Sequence, residues 1–535
     1  MMTILLQTWF VWLLIFFSAS FGLIYLYLTW DYGYWRKRSI PYERPVFPFG
    51  SIWSMMTRKE SLVEYYRSLY ERFKGQRYMG IIMLKEPTLV IRDPGLIKHI
   101  LVKDFSHFHD RGIPVDEVND PLSGNLFNLQ GKRWHSLRNK LSPTFTSGKL
   151  KNMLPIMRVY AEHLIETTIA EMERTGGDLE MKDLMARYTT DVIGSAAFGV
   201  EPGALEDSES QFRVIGRRLT AADFGNAFRQ MMILFAPSLA LKLGVKSVDS
   251  IAETYFNGIV KETVSYREKN GVKRPDFLQT LIGLRSENKG NSTQDSSETD
   301  LTLEQLMAQC FIFFVGGFET SSSVLTYTLY ELSRNLDVQQ KLRDEVDRVL
   351  GEHGGEITYE ALTQMQYMDC VTSETMRMYS PAPLLFRECT KEWRIPSAQE
   401  TGTDHLDWKP ETRDGGPVVV VGTKVHLPTP GLHYDPEYFK DPQCYNPERF
   451  TEEGRKHWPQ FAYLPFGEGP RICIGMRFGS LQSKVALTAL LSKFEFRPST
   501  KTPDTVVLDK MAFFPNIKGG LLLRPIKRCS VSKEA

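Results

Sequence analysis

The sequence predicts a mostly helical protein with a small β-rich lobe and a single N-terminal transmembrane helix. Three observations support this fold class. Residues 3–30 contain no charged side chain, most of 51–285 repeats apolar residues with helical spacing, and short β-like runs begin at 77–94. The 535 residues are enough for one large enzyme fold with a sizeable core.

The uncharged segment 3–30 is long enough to cross a membrane. An ideal helix of that length reaches about 40 Å, whereas the bilayer core is about 30 Å thick. Arg36, Lys37 and Arg38 follow it and nothing basic precedes it, so the positive-inside rule places the rest of the chain in the cytosol. The run is too long for a cleaved signal peptide. We therefore predict a single-pass signal anchor over 1–30 in the endoplasmic reticulum membrane, with the rest of the chain on the cytosolic face.

A basic and proline-rich hinge is predicted over 31–50. Pro41, Pro45 and Pro48 are closely spaced there, and proline-rich segments are stiff and extended. The hinge is expected to act as a rigid spacer that sets a single domain, 51–535, against the membrane.

Charge and cysteine content exclude several function classes. Lysine and arginine number 65 against 64 acidic residues, a net charge of +1. Nucleic-acid binding needs a basic excess, so no nucleic-acid partner is expected. The six cysteines include no C-x-x-C pair, which argues against a four-thiolate zinc site and indicates a reducing compartment.

One long central helix is predicted over 301–335. Thr302 and Gln305 have the spacing of a capping box at its start, and about 35 residues would span about 50 Å. Its middle is apolar on nearly every face, as in a buried helix. The polar stretch 286–300 before it is predicted to be an exposed loop, and its sequon at Asn291 is expected to stay unmodified in the cytosol.

The run FGEGPRICIG (466–475) places Cys473 in a loop punctuated by three glycines. Glycines let a thiolate approach a planar cofactor closely because they carry no side chain. Arg471 is placed to meet a carboxylate at the edge of such a cofactor. Together these features suit a haem iron held through sulfur.

This run resembles the cysteine-ligand signature of the cytochrome P-450 superfamily, F-x-x-G-x-R-x-C-x-G, with every fixed position filled. The resemblance implies the cytochrome P-450 fold, with haem b (iron protoporphyrin IX) as the cofactor. Cys473 would be the axial thiolate ligand of its iron, and Phe466 and Arg471 would also contact the haem. Residues 51–535 would form a haem-binding monooxygenase domain.

The run GGFETS (316–321) lies in the middle of the predicted central helix. Two glycines weaken the helix there, and Glu319 and Thr320 add an acid and a hydroxyl to apolar surroundings. From the residues alone, a close helix crossing with Glu319 paired to another group explains the run equally well. The resemblance implies instead that Glu319 and Thr320 are catalytic and deliver protons to bound dioxygen.

The run ETMR (374–377) places an acid three residues before a base. Such pairs are usually surface pairs on a helix, and the same spacing recurs at Glu64–Arg67, Glu345–Arg348 and Glu452–Arg455. The resemblance gives Glu374 and Arg377 a larger role. With Arg449 of the PERF run they would form a structural triad that supports the fold around the haem.

Trp134 and Arg138 are four residues apart and so share one helix face. A tryptophan packed in the core is an equally good explanation of the first. The resemblance implies that both bind haem propionates, as does Arg387 in the run SPAPLLFRE.

A basic patch extends this segment through Lys132, Arg133 and Lys140. A solvated run of charges is the plain explanation, and docking of the acidic flavoprotein NADPH–cytochrome P-450 reductase is the one that the resemblance implies. The implied reaction is a monooxygenation. NADPH electrons arrive through the reductase, dioxygen splits, and one oxygen atom enters a lipophilic small molecule.

Two runs, 125–153 and 433–450, resemble insect microsomal members of the superfamily that oxidise plant toxins and insecticides. This implies a role in detoxification. By position, the implied substrate pocket would be lined by apolar side chains, although such aromatic stretches are more often plain core. The residues selected for the pocket are Phe108, Phe127, Phe311, Phe314, Leu384 and Phe513.

Four alternatives stay open. In the first, the substrate is an endogenous lipid or hormone. In the second, the chain is an isomerase of the same fold that rearranges peroxides without a reductase. In the third, the chain is a haem-thiolate sensor or carrier. In the fourth, it is a membrane-tethered binding protein in which Cys473 is a core thiol.

One departure from the family pattern is the polar stretch 397–417, which is longer than a strand connection needs. Surface loops tolerate such insertions, and this one is a candidate to reshape a substrate entrance.

Overall fold

The computed structural model describes residues 2–287, 301–409 and 416–528. Most of the predicted polar loop 286–300, with its sequon at Asn291, lies outside the described residues. So do residues 410–415 of the long stretch 397–417.

Helices make up most of the described chain, as predicted. They are α1 (Met2–Thr29), α2 (Tyr34–Lys37), α3 (Trp53–Met56), α4 (Leu62–Arg72), α5 (Pro94–Lys98), α6 (Gly131–Leu141), α7 (Ser147–Thr175), α8 (Met181–Phe198), α9 (Gln211–Thr220), α10 (Phe224–Phe235), α11 (Pro237–Lys242), α12 (Ser250–Asn270), α13 (Phe277–Glu287), α14 (Leu303–Arg334), α15 (Leu336–Glu352), α16 (Tyr359–Gln364), α17 (Gln366–Met378), α18 (Ala398–Thr401), α19 (Thr429–His433) and α20 (Met476–Lys493).

Short strands form small sheets beside the helices. They are β1 (Tyr78–Met83), β2 (Glu86–Ile91), β3 (Leu179–Glu180), β4 (Leu384–Glu388), β5 (Trp393–Arg394), β6 (Val418–Val419), β7 (Lys424–Pro428), β8 (Phe494–Pro498) and β9 (Leu522–Lys527). The largest sheet has the order β1-β2-β7-β4, in which only β2 and β7 run parallel, with Leu89 opposite Val425. A second sheet has the order β3-β9-β8, and β5 pairs with β6. The mostly helical fold with a small β-rich lobe is confirmed.

The long helix α14 is the centre of the main core. Its capping box is present: Thr302 Oγ1 accepts from the Gln305 N–H, and Gln305 Oε1 accepts from the Thr302 N–H, each at 3.2 Å. Side chains of α14 are buried over most of its length and pack against α8, α12, α17 and α20. The helix therefore fixes the positions of the elements on several sides of it.

The N-terminal helix α1 is apolar and stands apart from the core. Its segment Leu6–Thr29 has a mean hydropathy of 2.0, and none of it is buried in the protein. At its end, the ring of Tyr25 lies 5.2 Å from that of Phe47, and the Lys85 ammonium lies 3.6 Å from the ring centre of Tyr27. The helix is long enough to anchor the protein in a membrane, and its last turns contact the globular part.

The hinge segment 31–50 packs onto the largest sheet. The Trp35 side chain is buried, and its Nε1 donates a hydrogen bond to the carbonyl of Ile81 at 2.8 Å. The Gly80 N–H donates to the Pro41 carbonyl at 2.7 Å, and Tyr42 forms a parallel bridge with Gly80. The proline spacing predicts a spacer, whereas the buried indole makes this segment part of the core.

Replacing Gly80 with alanine tests this packing. A Cβ atom at Gly80 would lie 2.3 Å from Trp35 Cγ, so Gly80→Ala should lower the free energy of unfolding by about 1–3 kcal/mol. Gly258→Ala in α12 is the matched control, because no atom of the described residues lies within 4 Å of a Cβ there. The better helix propensity of alanine should raise the free energy of unfolding by about 0.5–1 kcal/mol. Thermal unfolding of the detergent-solubilised chain measures both. Equal effects would contradict the close approach of Trp35.

Candidate active site

The loop before α20 holds Cys473 in a fixed backbone frame. The Cys473 N–H donates to the Phe466 carbonyl at 2.9 Å. Gly467 and Gly469 have φ of 71° and 73°, in the left-handed region that favours glycine. A Cβ at Gly469 would lie 2.0 Å from the Leu101 carbonyl oxygen. The glycines are therefore required by both the turn and the close approach of neighbouring backbone.

The Cys473 thiol faces an interior space. Its side chain has exposed surface, although protein atoms surround the residue on nearly all sides. Burial is the largest influence on its pKa and raises it, while the N–H groups of Gly475 and Met476 and the charges of Arg138 and Arg111 lower it. The net effect is a raised pKa, so the free thiol is neutral. A bound metal cation would favour the thiolate.

One face of α14 also opens onto interior space. Ile312, Gly316 and Thr320 are spaced four apart and keep exposed surface in the middle of an otherwise buried helix. Nothing lies within 4 Å of a Cβ built at Gly316, and Thr320 Oγ1 donates to the Gly316 carbonyl at 2.6 Å. α14 packs against α20, which begins just after Cys473, so the open face and the thiol loop belong to neighbouring elements of the core.

A buried guanidinium group, that of Arg471, lies next to the thiol loop. Its Nε donates to the His109 carbonyl and one Nη to the Leu129 carbonyl, both at 2.8 Å, and Asp110 lies 3.4 Å away. Its guanidinium carbon lies 3.9 Å from the ring centre of Trp134. The other terminal nitrogen, Nη1, is buried with no hydrogen-bond partner among the residues that the structure describes.

Three further arginines surround the same space. Burial lowers the pKa of Arg387 to about 10, and its Nε also lacks a partner in the described part of the chain. Burial and the charge of Arg387 lower the pKa of Arg471 to about 9. Burial likewise lowers the pKa of Arg138 and, together with the charges of Arg387 and Arg471, that of Arg111. Burial is the largest cause of all four shifts, because a buried guanidinium cation loses the hydration that stabilises its charge.

These observations fit a planar cofactor with an anionic edge. Within the described ranges, two buried guanidinium nitrogens lack acceptors, and buried charged donors are normally paired. Carboxylates bind guanidinium groups through strong, charge-assisted hydrogen bonds. The structure brings Trp134, Arg138, Arg387 and Arg471 together near the Cys473 loop, and these residues can accommodate carboxylates.

The sequence missed Arg111, which joins this cluster. Its Nη1 donates to the Phe127 carbonyl at 2.9 Å, and its second terminal nitrogen donates to the Arg471 carbonyl at 3.3 Å. No motif spacing pointed to Arg111, because only the folding of the segment before α6 brings it here.

Glu374, Arg377 and Arg449 form one buried cluster. Arg377 donates to both carboxylate oxygens of Glu374, at 2.7 and 2.8 Å, and both side chains are fully buried. Arg449 Nε donates to Glu374 Oε1 at 3.3 Å, and the Asn446 N–H donates to it at 2.9 Å. A carboxylate with this many donors is well satisfied despite its burial. The cluster fixes α17 against the PERF turn.

The other acid–base runs behave differently. Glu345 accepts from the backbone N–H groups of Tyr367 and Met368, and Arg348 pairs with Glu352 at the surface. Spacing alone therefore does not distinguish the buried cluster from ordinary helix pairs.

The structure separates Glu319 from Thr320. Glu319 is buried on the side of α14 that packs against α8, and its Oε1 accepts from Lys182 Nζ at 2.8 Å. Lys182 also donates to the hydroxyls of Ser322 at 3.0 Å and Ser323 at 2.9 Å. The paired acid that the residues alone allowed is present, whereas only Thr320 lies on the open face.

Comparison with known proteins decides the family. The cytochrome P450 family model matches residues 40–399 and 410–523. The chain belongs to the cytochrome P450 family. It is 38% identical to the probable cytochrome P450 6a14 of Drosophila melanogaster, over 94% of this chain and 97% of the relative. It is 36% identical to cytochrome P450 9e2 of Blattella germanica, over 95% and 96%.

Membership makes the chain a P450 monooxygenase and confirms the resemblance stated above. A P450 uses a haem cofactor and dioxygen, and it takes electrons from a redox partner to oxidise a small molecule. The relatives are insect P450s, as the two longer runs indicated.

The residues selected for the substrate pocket of this P450 are dispersed. Phe127 keeps 38% of its surface exposed, and its ring lies beneath the Arg111 guanidinium. Phe311 and Phe314 pack against Phe256, with ring centres 5.6 and 5.0 Å away.

The other three lie nearer the β-rich lobe. Phe108 is fully buried edge-on against Trp393, and Leu384 and Phe513 belong to a separate apolar cluster. Phe108 and Phe314 have no exposed surface, so they are core residues in this structure. The pocket assignment of the remaining four stays a prediction.

The described part of the stretch 397–417 packs on a buried ion pair. Thr403 donates to Asp93 at 3.0 Å, and Arg77, which pairs with Asp93 at 2.8 Å, donates to Thr401 at 2.8 Å. Residues 400–409 are also the gap in the P450 family match. The insertion therefore braces the start of α5.

Removing Arg377 tests the buried cluster. Arg377→Ala leaves the fully buried Glu374 carboxylate with only part of its partners, so the free energy of unfolding should fall by about 3 kcal/mol or more. Arg348→Ala is the control, since its pair with Glu352 is exposed and should change stability by less than about 0.5 kcal/mol. Denaturant unfolding of both variants gives the comparison. Similar losses would contradict the burial argument.

A double-mutant cycle tests the Lys182–Glu319 pair. Lys182→Met leaves a buried carboxylate without its cation and should destabilise the protein by about 1–3 kcal/mol. Adding Glu319→Gln should recover most of that loss, because the two residues are in contact. Strictly additive effects would show that Lys182 does not hold Glu319.

Proposed function

We propose that this P450 is a haem-thiolate monooxygenase of the endoplasmic reticulum that oxidises lipophilic foreign compounds. Its electrons would come from NADPH through NADPH–cytochrome P-450 reductase. The observation that carries the proposal is the position of Cys473, two residues after Arg471 in a loop where the buried Arg471 and Arg387 each have a guanidinium nitrogen with no hydrogen-bond partner among the described residues. That combination suits a cofactor with a metal at its centre and carboxylates at its edge.

In this proposal Cys473 would ligate the haem iron, and Phe466 would also contact the haem. Arg471 Nη1 and Arg387 Nε, two donors without partners in the described ranges, would donate to the propionates, and Trp134 and Arg138 would also contact them. When bound, haem supplies the redox chemistry of dioxygen activation, aided by electron donation from the thiolate.

Thr320 and Glu319 would divide the handling of protons. Thr320 Oγ1 is the hydroxyl on the open face, where it can hold a water or pass a proton. Glu319, the residue before Thr320, accepts from Lys182 Nζ through Oε1 on the side of α14 that packs against α8. In this proposal Glu319 relays protons from that side, and Thr320 passes them to the open face.

The surface of α6 supports docking of the reductase. Lys132 and Arg133 are exposed on the helix that also carries Trp134 and Arg138. Arg133 is partly neutralised by Glu117 at 2.7 Å. An acidic partner would bind the basic outer surface of α6. Only the thickness of that helix would then separate the partner from the cofactor site.

Membrane attachment is supported by two apolar surfaces. The first is α1, with no charged residue over Leu6–Thr29. The second is formed by exposed side chains of α10, α11 and the residue after α11. The buried face of the same two helices packs beside the β1–β2 turn, and that turn contacts α1. Its members are Phe224, Phe228, Leu239, Leu241 and Leu243. A lipid bilayer would cover both surfaces at once.

A carbon monoxide difference spectrum tests the proposal. Reduced wild-type protein in membranes should give the strongly red-shifted Soret band of a thiolate-ligated haem, and Cys473→Ser should lose it together with all oxidation. Cys444→Ser is the control, because Cys444 is exposed and should leave the band unchanged.

Other outcomes favour the alternatives. Colourless, folded protein would contradict the cofactor, and turnover of peroxides without NADPH would indicate an isomerase. A thiolate band without oxygen-dependent turnover of any compound in a screen with reductase would indicate a sensor. Selective turnover of an endogenous lipid would replace the foreign substrate.

A further inference from the structure

A fully buried glutamine of α14, Gln309, is bonded to the segment that precedes α6. Its Oε1 accepts from the Leu126 N–H at 2.8 Å, and its Nε2 donates to the Gly124 carbonyl at 3.2 Å. Nε2 also donates to the Gln305 carbonyl one turn earlier, at 3.0 Å. The amide thus gives this segment the paired bonds that a neighbouring strand would provide.

The segment held by Gln309 is rigid in itself. Asn125 Oδ1 accepts from the N–H groups of Phe127 and Asn128 at 3.0 and 3.2 Å, and its Nδ2 donates to the Leu122 carbonyl at 2.8 Å. A displacement at Gly124 would therefore move the whole turn, because its own hydrogen bonds keep its shape.

The turn ends at two groups of the site. The Phe127 carbonyl accepts from Arg111, whose charge acts on Cys473. The Phe127 ring lies 6.0 Å from that of Phe386, the neighbour of Arg387 in β4. Phe127 is thus the exposed end of a chain of contacts that starts at Gln309.

We propose that Gln309 is a positioning residue that sets which ligands fit the site. Its amide fixes the turn 124–127 beside α14, so that Phe127 keeps its ring beneath Arg111 and beside Phe386 and holds Arg111 with its carbonyl. The proposal rests on oxidation at the Cys473 site and adds a determinant of ligand size to it.

Gln309→Leu keeps the approximate volume of the side chain and removes both bonds. The Leu126 N–H and the Gly124 carbonyl then lack partners in a buried place, which favours opening of the turn toward water. Gln309→Glu keeps an acceptor for the Leu126 N–H, and because its buried carboxyl faces two carbonyl oxygens it should be protonated and keep one of the two donated bonds. It should therefore rescue the turn in part. It also decides the question if the leucine variant fails to fold.

Gln339 offers a matched control elsewhere in the fold. It is almost fully buried on α15, accepts from the Phe496 N–H at 2.8 Å, and donates to the carbonyls of Phe496 and Leu332 at 2.9 and 2.8 Å. Gln339→Leu breaks the same kind of paired bond against β8. Gln339→Leu should therefore lower the free energy of unfolding by a similar amount while leaving the turn 124–127 intact.

The experiment uses the full haem-loaded chain in detergent and measures two quantities. Hydrogen exchange of amides 124–128 should speed up about tenfold or more in Gln309→Leu, less in Gln309→Glu, and not in Gln339→Leu. Spectral titration gives the affinities for imidazole and for 4-phenylimidazole. The ratio of these affinities should change by about threefold or more in Gln309→Leu alone, because only the larger ligand is expected to contact the Phe127 ring.

Equal exchange in Gln309→Leu and wild type would overturn the proposal, as would an unchanged affinity ratio with a faster-exchanging turn. A shift of the ratio in Gln339→Leu of the same size would reduce Gln309 to a general structural role. Failure of the proposed function is a separate result: wild type would then show no thiolate haem spectrum, and the exchange data would still decide whether Gln309 holds the turn.

Discussion

Burying several positive charges in one place costs free energy, and this protein does so around Cys473. Arg111, Arg138, Arg387 and Arg471 all have lowered pKa values, chiefly because burial disfavours their charged forms, and the charges of neighbouring arginines add to this at Arg111 and Arg471. Such an arrangement becomes favourable once anions enter it. In the proposed function, the carboxylates of the cofactor would supply that compensation, and the surrounding helices would keep the space open for them.

The helix α14 meets this requirement by giving different tasks to different faces. Thr320 and Gly316 leave one face open, and Glu319, the residue before Thr320, ties the helix to α8 through Lys182. Near its amino-terminal end, Gln309 reaches across to the turn before α6. A shift of this one helix would therefore move the open face, the Lys182–Glu319 pair and the turn together.

Local patterns predicted much of the fold and the centre of the site. The capping box at Thr302, the β1–β2 pair and the glycine frame of Cys473 each depend on residues close in sequence, so spacing reveals them. Arg111 and Lys182 act through contacts with distant parts of the chain, and no local pattern carries that information. The same limit applies to Trp35, whose burial depends on the missing side chain of Gly80.

The docking of Trp35 on the sheet has a consequence for encounters at the membrane. The Tyr32 N–H donates to the Thr29 carbonyl, and Trp35 is already fixed in the core one turn later. The junction between α1 and the globular part is therefore short and fixed. With α1 in a bilayer, as proposed, the globular part would not rotate freely above the lipid. It would meet a redox partner tethered to the same membrane by diffusion in a plane, and the stiff junction would remove much of the rotational part of that search.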